Sequence, residues 1–332
     1  APFFFPLTEG KMIFFSLQKF DQEGIVIGNK FNRYSSALNI SSEIKPWLSV
    51  GNSLNIGHTS SNETRDRNNV QNPFRAMYTY NPYEPVFNAD GTYNRTHQGV
   101  NIIQYMQTEP ELQKNFTGLN AFNVDLHPIK GLNVTSRIGL TLRDYTRESF
   151  SAPGGALDPI VGDPANPGSK TDNGSKEFYY SWTNQARYAF NLGEAHSFSI
   201  MGLQEFQKSQ FSSYSMQKRG FASADLTTQD NGAANHGNNT TSKSIWTLYS
   251  LASSAEYNFN KRYFLTGSLR RDGSSRFGAN NKYGTFWSSS ASWLMSQESF
   301  MQDYDWLSVL KLRASIGTVG NFSGISNYQS LG

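Results

Sequence analysis

The chain contains no cysteine, which excludes a disulfide framework, a thiolate zinc site and a cysteine nucleophile. Charged residues are scarce, at 17% of 332 residues, whereas soluble domains average about 25%. No apolar run approaches the ~18 residues of a membrane-spanning helix, and the mean hydropathy is −0.55. The net charge of +3 includes no block of lysine or arginine. These absences argue against a helical membrane protein and against a nucleic-acid partner.

Motifs for catalysis and metal binding are also missing. The sequence has neither the G-x-S-x-G elbow of hydrolases nor the H-E-x-x-H pair of zinc proteases. Its histidines are scattered without the spacing of metal ligands, at positions His58, His97, His127, His196 and His236. We therefore predict that the protein is not an enzyme and that it binds no metal and no cofactor.

Aromatic residues, by contrast, are abundant, with 24 Phe and 17 Tyr. A chain that is polar on average, rich in aromatics and low in charge has the composition of an outer-membrane barrel. In such a barrel half of each strand faces lipid, and aromatic girdles mark both membrane interfaces. A soluble all-β protein has a similar composition, so composition alone leaves both classes open.

The segment 132–143, LNVTSRIGLTLR, shows the organising pattern of the chain. Side chains of a strand point alternately to its two faces, and one face here is apolar except for Ser136. Arg137 and Arg143 belong to the other, polar face. Because an arginine at the middle of a membrane on the lipid side costs about 2–4 kcal/mol, we assign the polar face to the lumen. Arg313 alternates with Leu312 and Ala314 and is assigned to the lumen in the same way.

The rest of the chain repeats this pattern, with tight turns alternating with long loops. The long loops span about 60–115, 145–176 and 209–242, and a short helix is predicted at 101–107 within the first. We predict about eleven strands, at 14–19, 34–41, 48–57, 116–126, 132–143, 178–190, 197–208, 245–259, 263–271, 286–295 and 309–317.

Short periplasmic turns and long extracellular loops are typical of transmembrane β-barrels. The predicted fold is therefore an all-β, antiparallel transmembrane barrel. An unclosed set of strands would leave bare backbone edges in lipid, which the membrane does not tolerate. We therefore expect this chain to be part of a larger barrel.

Several stretches resemble the SusC/RagA-type TonB-dependent outer-membrane transporters of Bacteroidetes. The strongest is YFLTGSLRRDGSSRFG at 263–278, and NKYGTFWS at 281–288 and DWLSVLKLRAS at 305–315 support it. Upstream, FDQEGI at 20–25 and FNRYS at 31–35 are similar to the same family. The resemblance runs from about residue 13 to the end, whereas residues 1–12 do not match.

This resemblance implies an integral protein of the Gram-negative outer membrane with a 22-stranded type of barrel and a plugged lumen. On that basis residues 1–332 are a partial barrel, with the plug domain and the barrel closure outside the chain. The implied partners are a SusD-like surface lipoprotein, the TonB complex acting through the plug, outer-membrane lipid, and an oligosaccharide or peptide substrate. The lumenal arginines are then expected to pair with plug carboxylates or to contact substrate.

Four aromatic residues of the 60–115 loop are candidate contacts to substrate or to the lipoprotein lid: Tyr78, Tyr80, Tyr83 and Phe87. Aromatic faces beside Asn and Arg suit sugar rings or extended peptides, although they also suit packing within the loop itself. The functional prediction is a TonB-dependent importer. The alternatives are a passive structural or glycan-adhesion barrel in the outer membrane and, from another class, a soluble β-rich carbohydrate-binding protein.

Overall fold

The computed structural model describes residues 2–8 (backbone only), 10–62, 72–97, 99–109, 111–235, 237, 239–278, 282–301, 304, 306–321 and 324–328. The described strands form one antiparallel sheet in which neighbours in sequence are neighbours in space. They are β1 (Pro2–Thr8), β2 (Lys11–Glu23), β3 (Lys30–Lys45), β4 (Leu48–Asn62), β5 (Leu112–Leu126), β6 (Leu132–Ser151), β7 (Ser169–Leu192), β8 (His196–Arg219), β9 (Ala234–Asn235), β10 (Thr240–Phe259), β11 (Tyr263–Ser274), β12 (Tyr283–Leu294) and β13 (Lys311–Gly317).

The two-residue strand β9 pairs only with β8, so twelve strands follow one another across the sheet. The helices are short: α1 (Pro73–Thr79), α2 (Ile102–Thr108) and α3 (Asp158–Val161). Single 3₁₀ turns lie at Gln229–Asn231, Met295–Gln297 and Ser299–Met301. Among the described residues, no helix has the length and apolarity needed to span a membrane.

The all-β antiparallel fold and the helix near residue 101 are confirmed. The count is one strand higher than the eleven predicted, because β1 lies in the first twelve residues, which carry no resemblance to the family. Its sequence, PFFFPLT, lacks period-two alternation and contains two prolines, so no strand was predicted there. It nevertheless pairs antiparallel with β2.

The cross-strand register joins the apolar faces of the individual strands into one continuous surface. Ile138 of β6 lies opposite Phe122 of β5 and Trp182 of β7, and residues that pair directly share a face. This surface is not covered by another layer, since Leu140 keeps 38% and Trp182 47% of its surface exposed. Most of the buried apolar side chains in the described part of the chain lie in loops rather than between sheets. The sheet is therefore a single wall whose apolar face is open to lipid.

Aromatic rings form a continuous row along the short-turn end of this apolar face. Successive ring centroids lie 4.8–6.3 Å apart from β7 through β8, β10 and β11 to β12. The row runs through Tyr188, Phe190, Phe198, Tyr257, His196, Phe259, Tyr263 and Trp293. Rings of this kind occupy the membrane–water interface of outer-membrane barrels. The row therefore marks the periplasmic boundary of the membrane.

The strands continue well beyond the membrane at the opposite end. Strands β7 and β8 have 24 residues each, whereas about 9–11 suffice to cross the hydrocarbon core. Past the apolar band, the same face carries ion pairs between neighbouring strands, including Lys176 with Asp144 at 3.1 Å and Lys170 with Glu148 at 3.2 Å. The wall thus extends into water on the side of the long loops.

Glu298 ties the β12–β13 connection to the β10–β11 turn. One carboxylate oxygen accepts hydrogen bonds from the Tyr263 hydroxyl at 2.6 Å and the Trp293 indole N–H at 3.0 Å. The other accepts from the Arg262 guanidinium at 2.9 Å. These bonds, led by the one from Tyr263, hold the pKa of Glu298 below its ordinary value. The carboxylate therefore fastens two periplasmic connections to the aromatic row.

We expect the Glu298→Gln variant of the full-length protein to unfold at a lower temperature than wild type at neutral pH. Because the folded-state pKa is depressed, the stabilisation is present above the unfolded value of 4.5 and is lost as pH falls through the folded pKa. Thermal unfolding measured in detergent between about pH 7 and pH 3 should therefore show the two proteins converging in acid. A difference that stayed constant with pH would contradict this role of the carboxylate.

Candidate functional site

The loops at the extracellular end fold into one compact unit that carries a cavity. Asn72 caps helix α1, and its side chain accepts from the backbone N–H of Phe74 at 2.9 Å, with Pro73 in the first turn. Asn101 caps helix α2, and its side chain accepts from the N–H of Gln104 at 3.0 Å. Both helices use the asparagine caps that helix starts favour.

Asn101 also fixes the chain around α2. Its amide donates to the backbone carbonyls of Val86 and Asn94, both at 2.9 Å, and the residue is 4% exposed. Tyr80 also holds the segment before α2 in place. Its hydroxyl donates to the carbonyl of Val100 at 2.6 Å, and its ring centroid lies 4.3 Å from that of His97. Burial raises the pKa of Tyr80.

The β4–β5 and β6–β7 loops share a small apolar core. It contains Ala76, Val100, Ile102 and Tyr105 from the first loop and Ala156 and Leu157 from the second. Glu109, which is buried at this junction, accepts from the backbone N–H of Leu157 at 3.3 Å, and burial raises its pKa. Arg95 bridges Gln104 and the carbonyl of Gly154. The two loops are therefore held together as one unit.

A cavity of about 510 Å³ opens between this unit and the β2–β3 connection. Its volume is in the range of small-ligand sites. The lining is mainly aliphatic and includes Ile25, Ile27, Phe74, Met77 and Met106. Polar groups at its edge include Asn81, Glu84 and His97. Ile25 and Met77 are 95% and 80% exposed, so the cavity rim is an apolar surface in water.

The four predicted aromatic contacts do not form one cluster. Tyr80 lines the cavity, whereas Tyr78 and Tyr83 project from the loop with 75% and 81% of their surface exposed. Phe87 packs on Tyr93, with ring centroids 5.0 Å apart. The aliphatic lining was not predicted, although the apolar run at 25–27 inside a short connection between two glycines was an available signal.

The three predicted lumenal arginines lie on the polar face of the sheet, but not beside one another. Arg143 pairs with Glu177 of β7 at 2.9 Å. Arg137 lines an open polar depression of about 640 Å³ with Asn39, Asn123 and Asp125. Arg313 lies on β13, opposite Ser292 of β12.

Further charges on the same face were not singled out from the sequence. Arg270 binds Asp272 at 2.7 Å and lies 3.9 Å from Glu205, and Arg187 lies 3.6 Å from Glu256. The polar face of the sheet thus carries charges that are paired with one another. Within the described ranges, no group of three or more acidic or histidine side chains could hold a metal ion.

Comparisons with known proteins agree with this architecture. No protein-family profile matches the chain. It is 26% identical over 94% of its length to TonB-dependent receptor P39 of Formosa agariphila. It is also 42% identical over 74 residues, 22% of its length, to TonB-dependent receptor SusC of Bacteroides thetaiotaomicron. The solved structure of the RagAB peptide transporter aligns over 97% of the chain with a TM-score of 0.80 and 25% identity.

The chain spans only part of these relatives: 29% of receptor P39, 7% of SusC and 36% of the RagAB chain. The relatives are named as receptors and transporters, which fits a protein that is not an enzyme. The chain is integral to the outer membrane of a Gram-negative cell. In sequence and fold the chain is therefore similar to part of the barrel of the SusC/RagA type of TonB-dependent outer-membrane transporters.

Proposed function

We propose that this chain is part of the barrel of an active outer-membrane importer that takes up oligosaccharides or peptides. The observation that carries the proposal is the alignment of nearly the whole chain with the RagAB peptide transporter. Energy comes from the TonB complex acting on a plug domain outside this chain. A SusD-like surface lipoprotein covers the extracellular mouth.

The geometry of the wall supports this role. The polar face offers paired charges and hydroxyls, such as Arg143 with Glu177 and Arg270 with Asp272, which present a wetted interior to a plug and to hydrophilic cargo. The apolar face and its aromatic row fix the barrel in lipid. Of the two substrate classes, the mouth cavity favours peptides, because an aliphatic lining suits an apolar side chain better than a sugar ring.

Uptake by the full-length protein tests the proposal. Cells expressing it as their only copy are given labelled peptides or oligosaccharides, with and without TonB. We expect uptake to require TonB, whereas a passive structural or adhesion barrel would bind or leak cargo equally well without it. TonB-independent uptake, or none of either substrate class, would overturn the importer assignment.

A single substitution tests the cavity. Met77→Glu places a charge on the cavity rim at an 80% exposed position, so folding should be unaffected. Loss of apolar contact worth about 1.4 kcal/mol should raise the substrate concentration for half-maximal uptake about tenfold. Leu226→Glu, at an exposed position of the β8–β9 loop that does not line the cavity, is the matched control. Equal uptake by the two variants would show that the substrate does not bind in the cavity during import.

A further inference from the structure

A groove of about 510 Å³ lies on the lipid-facing side of the wall, away from the loop cavity and the lumen. Its floor is a row of directly paired small residues: Ala186 of β7, Gly202 of β8 and Ser253 of β10. Leu251 and Leu269, about half exposed, stand beside the floor. The groove thus belongs to the face that carries the aromatic row and is open toward hydrocarbon.

The side chain of Arg271 lies at the outer end of this groove. Arg271 belongs to its lining and lies on the lipid-facing side of β11, since it pairs directly with Leu251. Eight residues separate it from Tyr263 in the periplasmic aromatic row (271 − 263), which is about 20 Å along the membrane normal for a strand tilted by about 40°. The apolar band of such barrels is about 25 Å tall. Arg271 therefore lies near the outer interface, where lipid headgroups begin.

The guanidinium of Arg271 is held ready for an anion. It stacks on the ring of Tyr283 with 4.9 Å to the centroid. In the part of the chain that the structure describes, no carboxylate lies within ion-pair distance of it. By contrast, the lumenal Arg270 next to it binds Asp272. An arginine stacked on an aromatic ring keeps its N–H groups available for bidentate contact with a phosphate.

A chain of polar side chains borders the groove on the same side of its floor as Arg271, since Asn184 and Gln204 belong to the row of paired residues that leads through Leu251 to Arg271. Trp182 donates to Ser136 at 3.1 Å, and Ser136 donates to Asn184 at 2.8 Å. Asn184 contacts Gln204 at 3.4 Å, and Gln204 donates to Tyr249 at 3.2 Å. Polar groups facing lipid have to satisfy one another, and each amide retains a second N–H beyond these contacts. These N–H groups suit the carbonyl oxygens that join acyl chains to a lipid headgroup.

We propose that this groove is a binding site for a phosphorylated lipid of the outer leaflet. One acyl chain lies over Ala186, Gly202 and Ser253, and the phosphate binds Arg271. Charge complementarity at the outer end and continuity with the membrane-facing surface carry the assignment. It depends on the location of the protein in the outer membrane and not on what the protein imports.

Two variants separate the parts of the site. Gly202→Leu fills the groove, and the space where its side chain would begin is empty, so folding is preserved. Gly267→Leu is the matched control: it faces lipid on β11, has equally open space and lies outside the groove lining. Arg271→Gln removes the charge while keeping a polar side chain of similar length.

Native mass spectrometry of the full-length protein, delipidated and then titrated with lipid A, measures binding directly. We expect lipid A to bind wild type and Gly267→Leu about tenfold more tightly than its dephosphorylated form. Arg271→Gln should abolish that preference, and Gly202→Leu should weaken both forms. Inorganic phosphate alone should not displace the lipid, since the acyl chain contributes to binding.

Equal lipid binding by wild type, Gly202→Leu and Arg271→Gln would overturn the proposal. Displacement by inorganic phosphate alone would overturn it as well, because it would reduce the site to an anion contact without an acyl groove. If the wild type formed a stable dimer and Gly202→Leu were monomeric, the groove would be a dimer interface, and the lipid proposal would be wrong.

Discussion

Replacing Leu140 with arginine is expected to reduce assembly of the full-length protein in the outer membrane, whereas Thr141→Arg should assemble normally. Leu140 lies between Ile138 and Leu142 on the apolar face of β6 and is 38% exposed. An arginine there faces lipid, and since Leu140 lies eight residues from Leu132, the partner of Tyr188 in the aromatic row, the cost is below the ~2–4 kcal/mol of the membrane midplane. Thr141 is on the opposite face, where it lies between Arg137 and Arg143 in a polar environment, so its replacement keeps the charge in water.

Membrane fractionation and the heat-dependent gel mobility of folded barrels measure this difference. Leu140→Met is the control that removes the leucine side chain without adding a charge. It should assemble like wild type because the substitution conserves volume and polarity. Equal assembly of Leu140→Arg and Thr141→Arg would reverse the assignment of the two faces. It would also contradict the lumenal positions of Arg137 and Arg143 and the lipid-facing position of the groove.

The faces of single strands could be predicted from the sequence because alternation is a local property. In 132–143 one parity is almost wholly apolar, and the structure exposes those side chains on one side of the wall. Ser136 was the exception in that pattern. Its role became clear only with the register, which places it opposite Asn184 and within reach of the Trp182 indole.

Features that join several strands could not be predicted, since register is set by pairing across the sheet. The aromatic row links rings from five strands, and no single segment of the sequence shows it. Arg270 and Arg271 illustrate the same limit, because the motif gives two adjacent arginines. Only the sheet shows that Arg270 binds Asp272 in the lumen while Arg271 stacks on Tyr283 toward lipid.

The loops set a different limit, because their conformation depends on single buried polar contacts. Tyr80 and Tyr78 have the same residue type and lie two positions apart, yet one lines the cavity and the other projects into solvent. The difference arises because Tyr80 donates to Val100 and stacks on His97. Such partners lie outside any periodic pattern, so the four aromatic candidates could be named but not placed.

The soluble alternative fits the structure less well than the membrane alternative. A carbohydrate-binding sandwich would bury one face of its sheets against another sheet. Here the apolar face remains open along its whole length, and Leu265 and Leu269 are 53% and 52% exposed. A surface of this size in water would be an aggregation site, whereas lipid covers it at no cost.

Asn101→Ala is expected to unfold the α2 region of the extracellular loop unit while leaving the barrel intact. The side chain caps α2 through Gln104, and such a cap is worth about 1 kcal/mol. Its amide also donates to the carbonyls of Val86 and Asn94. The Val86 carbonyl keeps the Asn94 N–H as a donor, whereas leaving the Asn94 carbonyl without a donor costs about 1–3 kcal/mol. The combined loss of about 3 kcal/mol is enough to open a local element of seven residues.

Hydrogen exchange of the full-length protein reports this opening, as a loss of protection of about a hundredfold across residues 102–108. Asn101→Asp keeps the cap acceptor but removes both amide donors, so it should lose nearly as much protection as the alanine variant. Asn88→Ala is the matched control, because Asn88 is exposed and its bonds to Thr92 are in solvent. Protection that survives Asn101→Ala would mean that the shared apolar core of Ala76, Val100 and Leu157 alone holds the loops, and the mouth cavity would then be independent of this asparagine.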